Sequence, residues 1–469
     1  MNFCQRIQVF VAVQLSLCVV PLAATAAPTL TELRQRAFPL VKKYCVGCHQ
    51  PYSQSQEVER SAGRLLRRLD LNLPNGMPLA GSSQRTELER KQGDLLSMRE
   101  YLELASKLDA PVMPALPLQK IKLPPGFKIS IFAAAPGARS MALSPAGTLF
   151  VGTGGLSGNF NRVYAIRDLD GDGVGENVTI IADGLNTPNG VAFKNGDLYV
   201  AEISRILVFR GIERRIASNA SFEVFNDSFP SDGHHGWKFI RFAPDGSLFV
   251  PVGAPCNNCV REPTHAALFK LSADGKTKTL VAQGIRNTVG FDFHPLTGDL
   301  VFTDNGRDQL GDNMPPCELN RLAKSDWLQP GVKPRHFGFP YCHSGRIADP
   351  EFGSRRACRE FEAPVLEFGA HVAPLGARFY TGTRFPVEYR HQVFVAEHGS
   401  WNRTKPQGYR VSLGWSDDGG RSFQYKIFAS GWLNADDTRW GRPVDVEVAL
   451  DGSLLISDDM AGVIYRISY

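Results

Sequence analysis

"IRFAPDGSLFVPVG", residues 240–253, decides the fold. Four residues lead into Pro-Asp-Gly-Ser, and a run of apolar and β-branched residues leads out. Asp-Gly tolerates the positive φ that a tight turn needs, so the phrase reads as a β-hairpin. The phrase recurs. "MALSPAGTLFVGT" begins at Met141, "VAFKNGDLYVAE" at Val191 and "FDFHPLTGDLVFTD" at Phe291. "ARFYTGTRFPVEYRHQVFVAE" begins at Ala377, with an insertion in its turn, and "VEVALDGSLLISD" begins at Val446. Six hairpins spaced by roughly 50 residues at first, and by more later, are the mark of a repeat architecture built from small antiparallel sheets. The fold class expected is therefore mostly β, a six-bladed β-propeller over 123–469. A large β-sandwich would need all six phrases to be accidental.

Upstream of the repeats the periodicity is helical. "TLTELRQRAFPLVKK" (29–43) and "QRTELERKQGDLLSMREYLELASKL" (84–108, divided near Gly93) place apolar residues three or four apart. The propeller is thus expected to be preceded by a small all-α domain over 27–112. Proline-rich "APVMPALPLQKIKLPPGF" reads as a linker, 113–122. The first 26 residues carry Arg6, a mostly apolar run and small residues "ATA" at 24–26, the pattern of a cleaved signal peptide. Cys4 and Cys18 would leave with it. No later stretch reaches about 18 uninterrupted apolar residues, so no membrane span is expected. The mature chain is expected to be periplasmic or secreted.

The whole chain has 469 residues and a net charge of +5, with Lys and Arg scattered. That gives no reason to invoke nucleic acid as a partner.

"KKYCVGCHQP" (42–51) lies in the helical segment. Two thiols two residues apart can add to haem vinyl groups, and the adjoining imidazole then ligates the iron. Cys45, Cys48 and His49 are thus expected to hold a c-type haem, making the helical domain cytochrome c-like. A methionine would complete the iron. Met113 in "VMP" and Met77 in "GMP" are both candidates, with Met113 preferred, whereas Met98 suits a helix core. "CNNCV" (256–260) has no histidine in that place. Proximity in an oxidising compartment suggests Cys256–Cys259 and Cys342–Cys358 as disulfides, leaving Cys317 free. "DLDGDGVGEN" (168–177) alternates Asp168, Asp170 and Asp172 as calcium loops do, and is read equally well as a polar hairpin turn.

Propellers place function in loops at one mouth of the channel. Here such loops carry "SDGHHGWKF" (231–239), "QGIRNTVGF" (283–291), "TDNGRDQLGDNMPPCELNRL" (303–322), "HFGFPYCH" (336–343), "GAHVAPLGARF" (369–379), "AEHGSWNR" (396–403) and "WGRPVDVE" (440–447). Together with "LPPGFKISIFA", these stretches resemble the sorbosone dehydrogenase branch of the glucose/sorbosone dehydrogenase family, six-bladed quinoproteins using pyrroloquinoline quinone (PQQ). The resemblance runs from about 120 to 469. It implies His235 as catalytic base, taking a proton from the substrate hydroxyl as hydride moves to the quinone. It implies that Arg286 and Asn287 contact the quinone carbonyls, with Arg286 countering the charge that grows there. Gly306 and Arg307 match the pair whose main-chain oxygens hold Ca²⁺, and Arg442 matches an arginine that pairs with a PQQ carboxylate. His234 stands where relatives often have Asp, and His398 near a PQQ-binding lysine.

The expected function is an exported quinohaemoprotein oxidoreductase. It would oxidise a sugar aldehyde or aldose with PQQ and Ca²⁺ and pass electrons through haem c to a periplasmic acceptor. Two other classes compete. A metal-dependent lactonase would draft Asp304, Asn287 and Glu397. A haem-bearing binding or electron-carrier module would have lost catalysis.

Overall fold

Pro244-Asp245-Gly246-Ser247 turns the chain as its composition requires. Gly246 has φ +87°, and the Asp245 carboxylate accepts the Ser247 N–H at 2.9 Å. "LDGS" at 450–453 repeats the device, with Gly452 at φ +80° and Asp451 accepting from Ser453 at 2.9 Å.

The structure is a computed structural model. It describes residues 35–37, 39–40, 93–98, 113–154, 160–169, 171–216 and 218–469. The expected signal segment 1–26, Cys45, Cys48, His49, Met77 and Asp170 lie outside the described residues, as does nearly all of the expected all-α cytochrome c-like domain over 27–112. The pieces at 35–37, 39–40 and 93–98 are helical and fall inside the two stretches with helical periodicity; Met98 is buried. Among the described residues no helix is long and apolar enough to cross a membrane.

Each repeated phrase forms the two innermost strands of a sheet of four antiparallel strands, joined in blade 3 by a fifth, parallel one, and six such sheets follow one another. Blade 1 starts at Ala138–Leu143, blade 2 at Gly190–Lys194 and blade 3 at Arg241–Phe242. Blades 4, 5 and 6 start at Phe291–Phe293, Pro374–Phe379 and Pro443–Val448. The expected propeller is what forms. The chain's own ends close the ring. Lys128–Ala134 becomes the outer strand of blade 6, running antiparallel to Val463–Ser468 with Lys128 opposite Ser468. Closure leaves no blade open between first and last, which removes an edge prone to pair with another chain.

Aromatic and aliphatic side chains fill the spaces between blades. Phe249 meets Phe293 edge-on at 5.2 Å and Trp327 at 5.5 Å between blades 3 and 4. Such buried rings each contribute on the order of 2 kcal/mol from area alone.

The proline-rich segment read as a linker is docked, not free. Leu116, Leu118 and Ile121 lie on the core of blades 5 and 6. Lys122 pairs with Ser430, and Lys120 Nζ donates to Asn434 Oδ1 at 2.9 Å. Its leucines and isoleucine give it an apolar face, which a solvated tether would lack.

Blade 4 carries a long insertion between its third strand, Pro316–Leu322, and its fourth, Leu366–Ala370. Within it Arg335–His336 runs parallel to the outer strand of blade 3, so the insertion bridges two blades. Cys342–Cys358 staples it, with 5.4 Å between Cα atoms, and Cys256–Cys259 closes a loop of blade 3 with 6.1 Å. Both pairings match the expectation. Cys317 is free and buried, and burial pushes its thiol up to about 11.

Candidate active site

Two sets of loops reach one face of the propeller. One set leads from the outer strand of a blade to the inner strand of the next, and the other joins second to third strands. His234, His235, Arg286, Asn287, His371 and Arg442 come from the first set. Gly253, Gly306, Arg307, His398 and Asp459 come from the second. The propeller thus brings the expected residues of the mouth to one end of its channel.

His235 sits in a left-handed conformation, φ +52°, which an ordinary side chain adopts only when its surroundings impose it. Its Nδ1 lies 2.8 Å from the Ala254 carbonyl. A carbonyl only accepts, so Nδ1 carries the proton and Nε2 keeps its lone pair. Burial holds the imidazole down to about 3, helped by the charges of Arg286 and His234. The imidazole is therefore neutral at pH 7 and well below it. Gly253 is why His235 and Asn287 come close. A Cβ at 253 would stand 2.6 Å from His235 Cβ and 3.2 Å from Asn287 Oδ1.

Arg286 is buried, and all five of its N–H donors are used. Nε donates to the Asn257 carbonyl at 2.9 Å and Nη2 to Asn257 Oδ1 and Asp308 Oδ2, each at 3.0 Å. Nη1 donates to the carbonyls of Asn305 at 3.2 Å and Gly306 at 3.0 Å. A guanidinium withdrawn from water needs such partners. Arg286 therefore fastens the loops at 257 and 305–308 together and acts on the mouth through its charge. The neighbouring Asn287 is the free hand: its side-chain amide makes no hydrogen bond among the described residues, while its N–H donates to Asp304 Oδ1 at 2.7 Å.

This geometry bears on one expectation. The Gly306 oxygen, expected to hold Ca²⁺, faces the Arg286 guanidinium. A dication there would stand against a buried cation whose nearest carboxylate, Asp308, is already spent on it. Arg307 turns away to Asp349 at 2.7 Å, a carboxylate that also takes His343 Nε2 at 2.9 Å. The residues present do not fit Ca²⁺ at Gly306 and Arg307. Among the described residues no group of three or more His, Cys, Asp or Glu is arranged around a metal.

The calcium-like loop lies at the opposite face, between the third and fourth strands of blade 1. Asp168 accepts the N–H groups of Gly171 at 2.7 Å and Gly173 at 2.8 Å, and Asp172 accepts that of Val174 at 2.7 Å. That is how a polar hairpin turn holds itself.

Asp304 is buried behind Arg286 and accepts the main-chain N–H of Arg286 at 2.9 Å as well as that of Asn287. Burial raises it to about 6. Its cross-strand neighbour Glu318 is raised to about 7, by burial and by Asp304. Glu397, drafted with Asp304 for a lactonase, is buried and bound to Arg410 and Tyr425 of its own blade. The two carboxylates serve their own blades and do not converge on a metal.

Across the mouth a second chain of contacts runs through residues the sequence reading overlooked. Asp459 accepts from His398 Nε2 at 2.9 Å and from Arg139 at 2.8 Å. Burial opposes its ionisation, but His398 and Arg139 outweigh burial and hold the carboxyl below its usual range. Burial brings His398 down to about 4. Arg139 also donates to Asn189 and lies 4.6 Å over the Trp237 ring. Arg442 spends Nε on the His398 carbonyl at 3.0 Å and Nη2 on that of Gly399 at 3.1 Å. Its Nη1 has no partner among the described residues. Asp459 and Arg139 follow and open repeat hairpins, as His398 and Arg286 flank theirs. That positional equivalence was the signal available for them. Met113, the expected iron ligand, stands 38% exposed at the start of the docked segment.

Similar solved structures include the Trichoderma reesei Carbohydrate-Active Enzymes Family AA12 protein, at 18% identity and TM-score 0.64 over 74% of this chain and 97% of that one. The PQQ domain of Coprinopsis cinerea pyranose dehydrogenase matches at 17% and 0.63 over 77% and 99%. A PQQ-bound aldose sugar dehydrogenase of Streptomyces coelicolor matches at 16% and 0.51 over 74% and 99%. At these identities the likeness establishes the fold. A Borreliella burgdorferi protein, described as an uncharacterized protein, is 33% identical over 376 residues, 74% of this chain and 91% of that one. Residues 113–466 match the family described as Domain of unknown function (DUF7133), and the chain belongs to that family.

Proposed function

We propose that the mouth binds PQQ and oxidises a small carbohydrate, an aldose or a sorbosone-like sugar aldehyde in its hydrated or cyclic form. The observation that carries this reading is His235, tautomer fixed and Nε2 free, beside Asn287 and the buried Arg286 charge. The solved structures of like fold support it, since one of those named above is the PQQ domain of a pyranose dehydrogenase and another is a PQQ-bound aldose sugar dehydrogenase. Donors unspent on the protein fit a flat, anionic quinone: the Asn287 amide and the outward Nη1 of Arg442. When bound, PQQ supplies a two-electron acceptor for hydride.

The chain's own work is then to bind, orient and move one proton. His235 Nε2 takes the proton of the substrate hydroxyl. Its low basicity suffices, because that proton becomes strongly acidic as hydride leaves the carbon. The Ala254 carbonyl keeps the proton on Nδ1 and the lone pair on Nε2. Arg286, anchored through Asn257, Asp308, Asn305 and Gly306, presents positive charge to the oxygen that gains electron density. The Asn287 amide orients that oxygen, and Arg442 pairs with a carboxylate. The insertion at 336–358 reaches the mouth through Asp349 and Arg307 and would shape the substrate site.

The haem belongs to the same proposal. Cys45, Cys48 and His49 would hold haem c, with Met113 or Met77 as second ligand, and pass electrons singly to a periplasmic acceptor. The entry of the chain supports it: Lys122 and Lys120 are fixed to Ser430 and Asn434 on the mouth's own face. A cleaved signal peptide would make the enzyme periplasmic or secreted. The test supplies PQQ to the purified full-length protein, adds aldoses or sorbosone and follows haem absorbance. Reduction by sugar in wild type but not in His235→Asn is the expected result. Haem that reduces with dithionite and never with PQQ and sugar would overturn it.

A second reading, a haem-bearing module without catalysis, draws on one observation: Arg286 has every donor engaged within the protein. It predicts no retention of PQQ.

A further inference from the structure

The innermost strands carry a second pattern, at the end of the channel away from the mouth. At one register position the six blades place Ala142, Ala192, Arg241, Asp292, Arg378 and Glu447, opposite Phe150, Tyr199, Phe249, Val301, Phe394 and Leu455. Four consecutive blades thus contribute alternating charges, and two contribute a methyl group. The charges meet. Arg241 Nε is 2.9 Å from Asp292 Oδ1, and Arg378 Nη2 donates to Glu447 Oε2 at 2.7 Å. Arg241 also reaches to 4.0 Å from Glu447. They line a cavity of about 460 Å³ that opens beside Thr381 and Thr383, in a first-to-second strand loop, and so on the distal face.

Not every donor in this ring reaches an acceptor. Both Asp292 oxygens accept main-chain N–H groups, from Phe293 and Phe379, each at 2.9 Å. Glu447 Oε1 takes the Val448 N–H at 3.0 Å, and Oε2 takes Arg378. Each carboxylate oxygen thus already accepts at least one hydrogen bond. Arg378 is 2% exposed, yet its Nη1 has no hydrogen-bond acceptor; Asp292 Oδ1 stands 3.8 Å away. The Arg241 terminal nitrogens, partly exposed, likewise find no acceptor within hydrogen-bonding distance among the described residues. A buried donor left unpaired is costly, and for a guanidinium a charged oxygen is the strongest acceptor that could meet it.

We propose that the distal cavity binds a small oxyanion, a carboxylate or a phosphate group, between Arg378 and Arg241. The site is separate from the mouth and does not depend on the cofactor there. A ring of alternating charge keeps the two guanidiniums apart, with Asp292 and Glu447 between them. Calorimetric titration of the full-length protein with inorganic phosphate, and separately with gluconate, at constant ionic strength tests this. Saturable binding is expected, weakened about tenfold or more in Arg241→Gln, the loss of one charge-assisted bond. Arg378→Gln should abolish it; if that variant does not fold, Arg241→Gln alone decides, because Arg241 is partly exposed. Phosphate binding without gluconate binding assigns the site to phosphate compounds, and the reverse assigns it to sugar acids and other carboxylates. No saturable binding of either anion, or binding unchanged in Arg241→Gln, overturns the proposal.

Discussion

Gly253→Ala should damage the mouth out of proportion to its size. The added Cβ would stand 2.6 Å from His235 Cβ and 2.7 Å from the His235 carbonyl oxygen. Carbon atoms in comfortable contact are about 3.5–4.0 Å apart, so His235 must retreat by about 1 Å. Gly253 has no left-handed φ, so the alanine itself adds no backbone strain and the contact is the whole perturbation. A displacement of about 1 Å at a catalytic group costs on the order of 100-fold in rate. Overpacking one methyl costs about 1–3 kcal/mol of stability. Gly233→Ala is the control: it lies two residues from His235, also without left-handed φ, and nothing stands within 4 Å of its would-be Cβ. The assay is kcat/KM for sugar oxidation after PQQ addition, with thermal melting of each variant. Gly253→Ala should lose about 100-fold while still folded, and Gly233→Ala less than about threefold. Equal losses in both variants, or full activity in Gly253→Ala, would refute the geometry assigned to His235.

The remaining predictions are more direct. Imidazole NMR should find His235 neutral and protonated on Nδ1 at pH 5; titration near 6.5 would contradict its burial. Because its folded value, about 3, lies below the unfolded 6.5, the folded state loses stability from this group as pH falls from 6.5 toward 3. His235→Gln should therefore be less acid-sensitive in that window. Arg442→Gln should weaken PQQ binding by about tenfold or more, read by equilibrium dialysis, with little change in melting temperature. Peptide mapping after thiol labelling should find Cys317 unmodified until the protein unfolds, since it is 1% exposed and burial raises its thiol to about 11. Sugar oxidation should survive EDTA, because Gly306 faces Arg286 where Ca²⁺ was expected.

The propeller was legible because its signal is repeated. Gly-bearing turns and apolar or β-branched strands mean the same thing six times, and one misread copy would not have changed the fold. His235 and Arg286 were legible because loop residues flanking the repeats must converge at one end. What each does was less so. Whether Arg286 offers its donors to a ligand or to its own loops depends on Asn257 and Asp308, 29 and 22 residues away in sequence. The Ca²⁺ expectation at Gly306 turns on the same thing: a main-chain oxygen has no sequence signature, and its neighbour decides what it binds. Asp459 and Arg139 were missed because they act on each other across 320 residues, where no local pattern joins them. The charged ring at the distal end was visible in the aligned phrases "IRF", "FDF", "ARF" and "VEV", but reading it required the register.

The central claim is that His235 and its neighbours form a PQQ-dependent oxidation site. The most direct measurement is the absorbance of PQQ retained by the purified protein, before and after anaerobic addition of sugar. The account predicts retained quinone whose spectrum bleaches with sugar in wild type, and retained quinone that does not bleach in His235→Asn. A protein that retains no PQQ, or whose quinone bleaches equally in both, would contradict it.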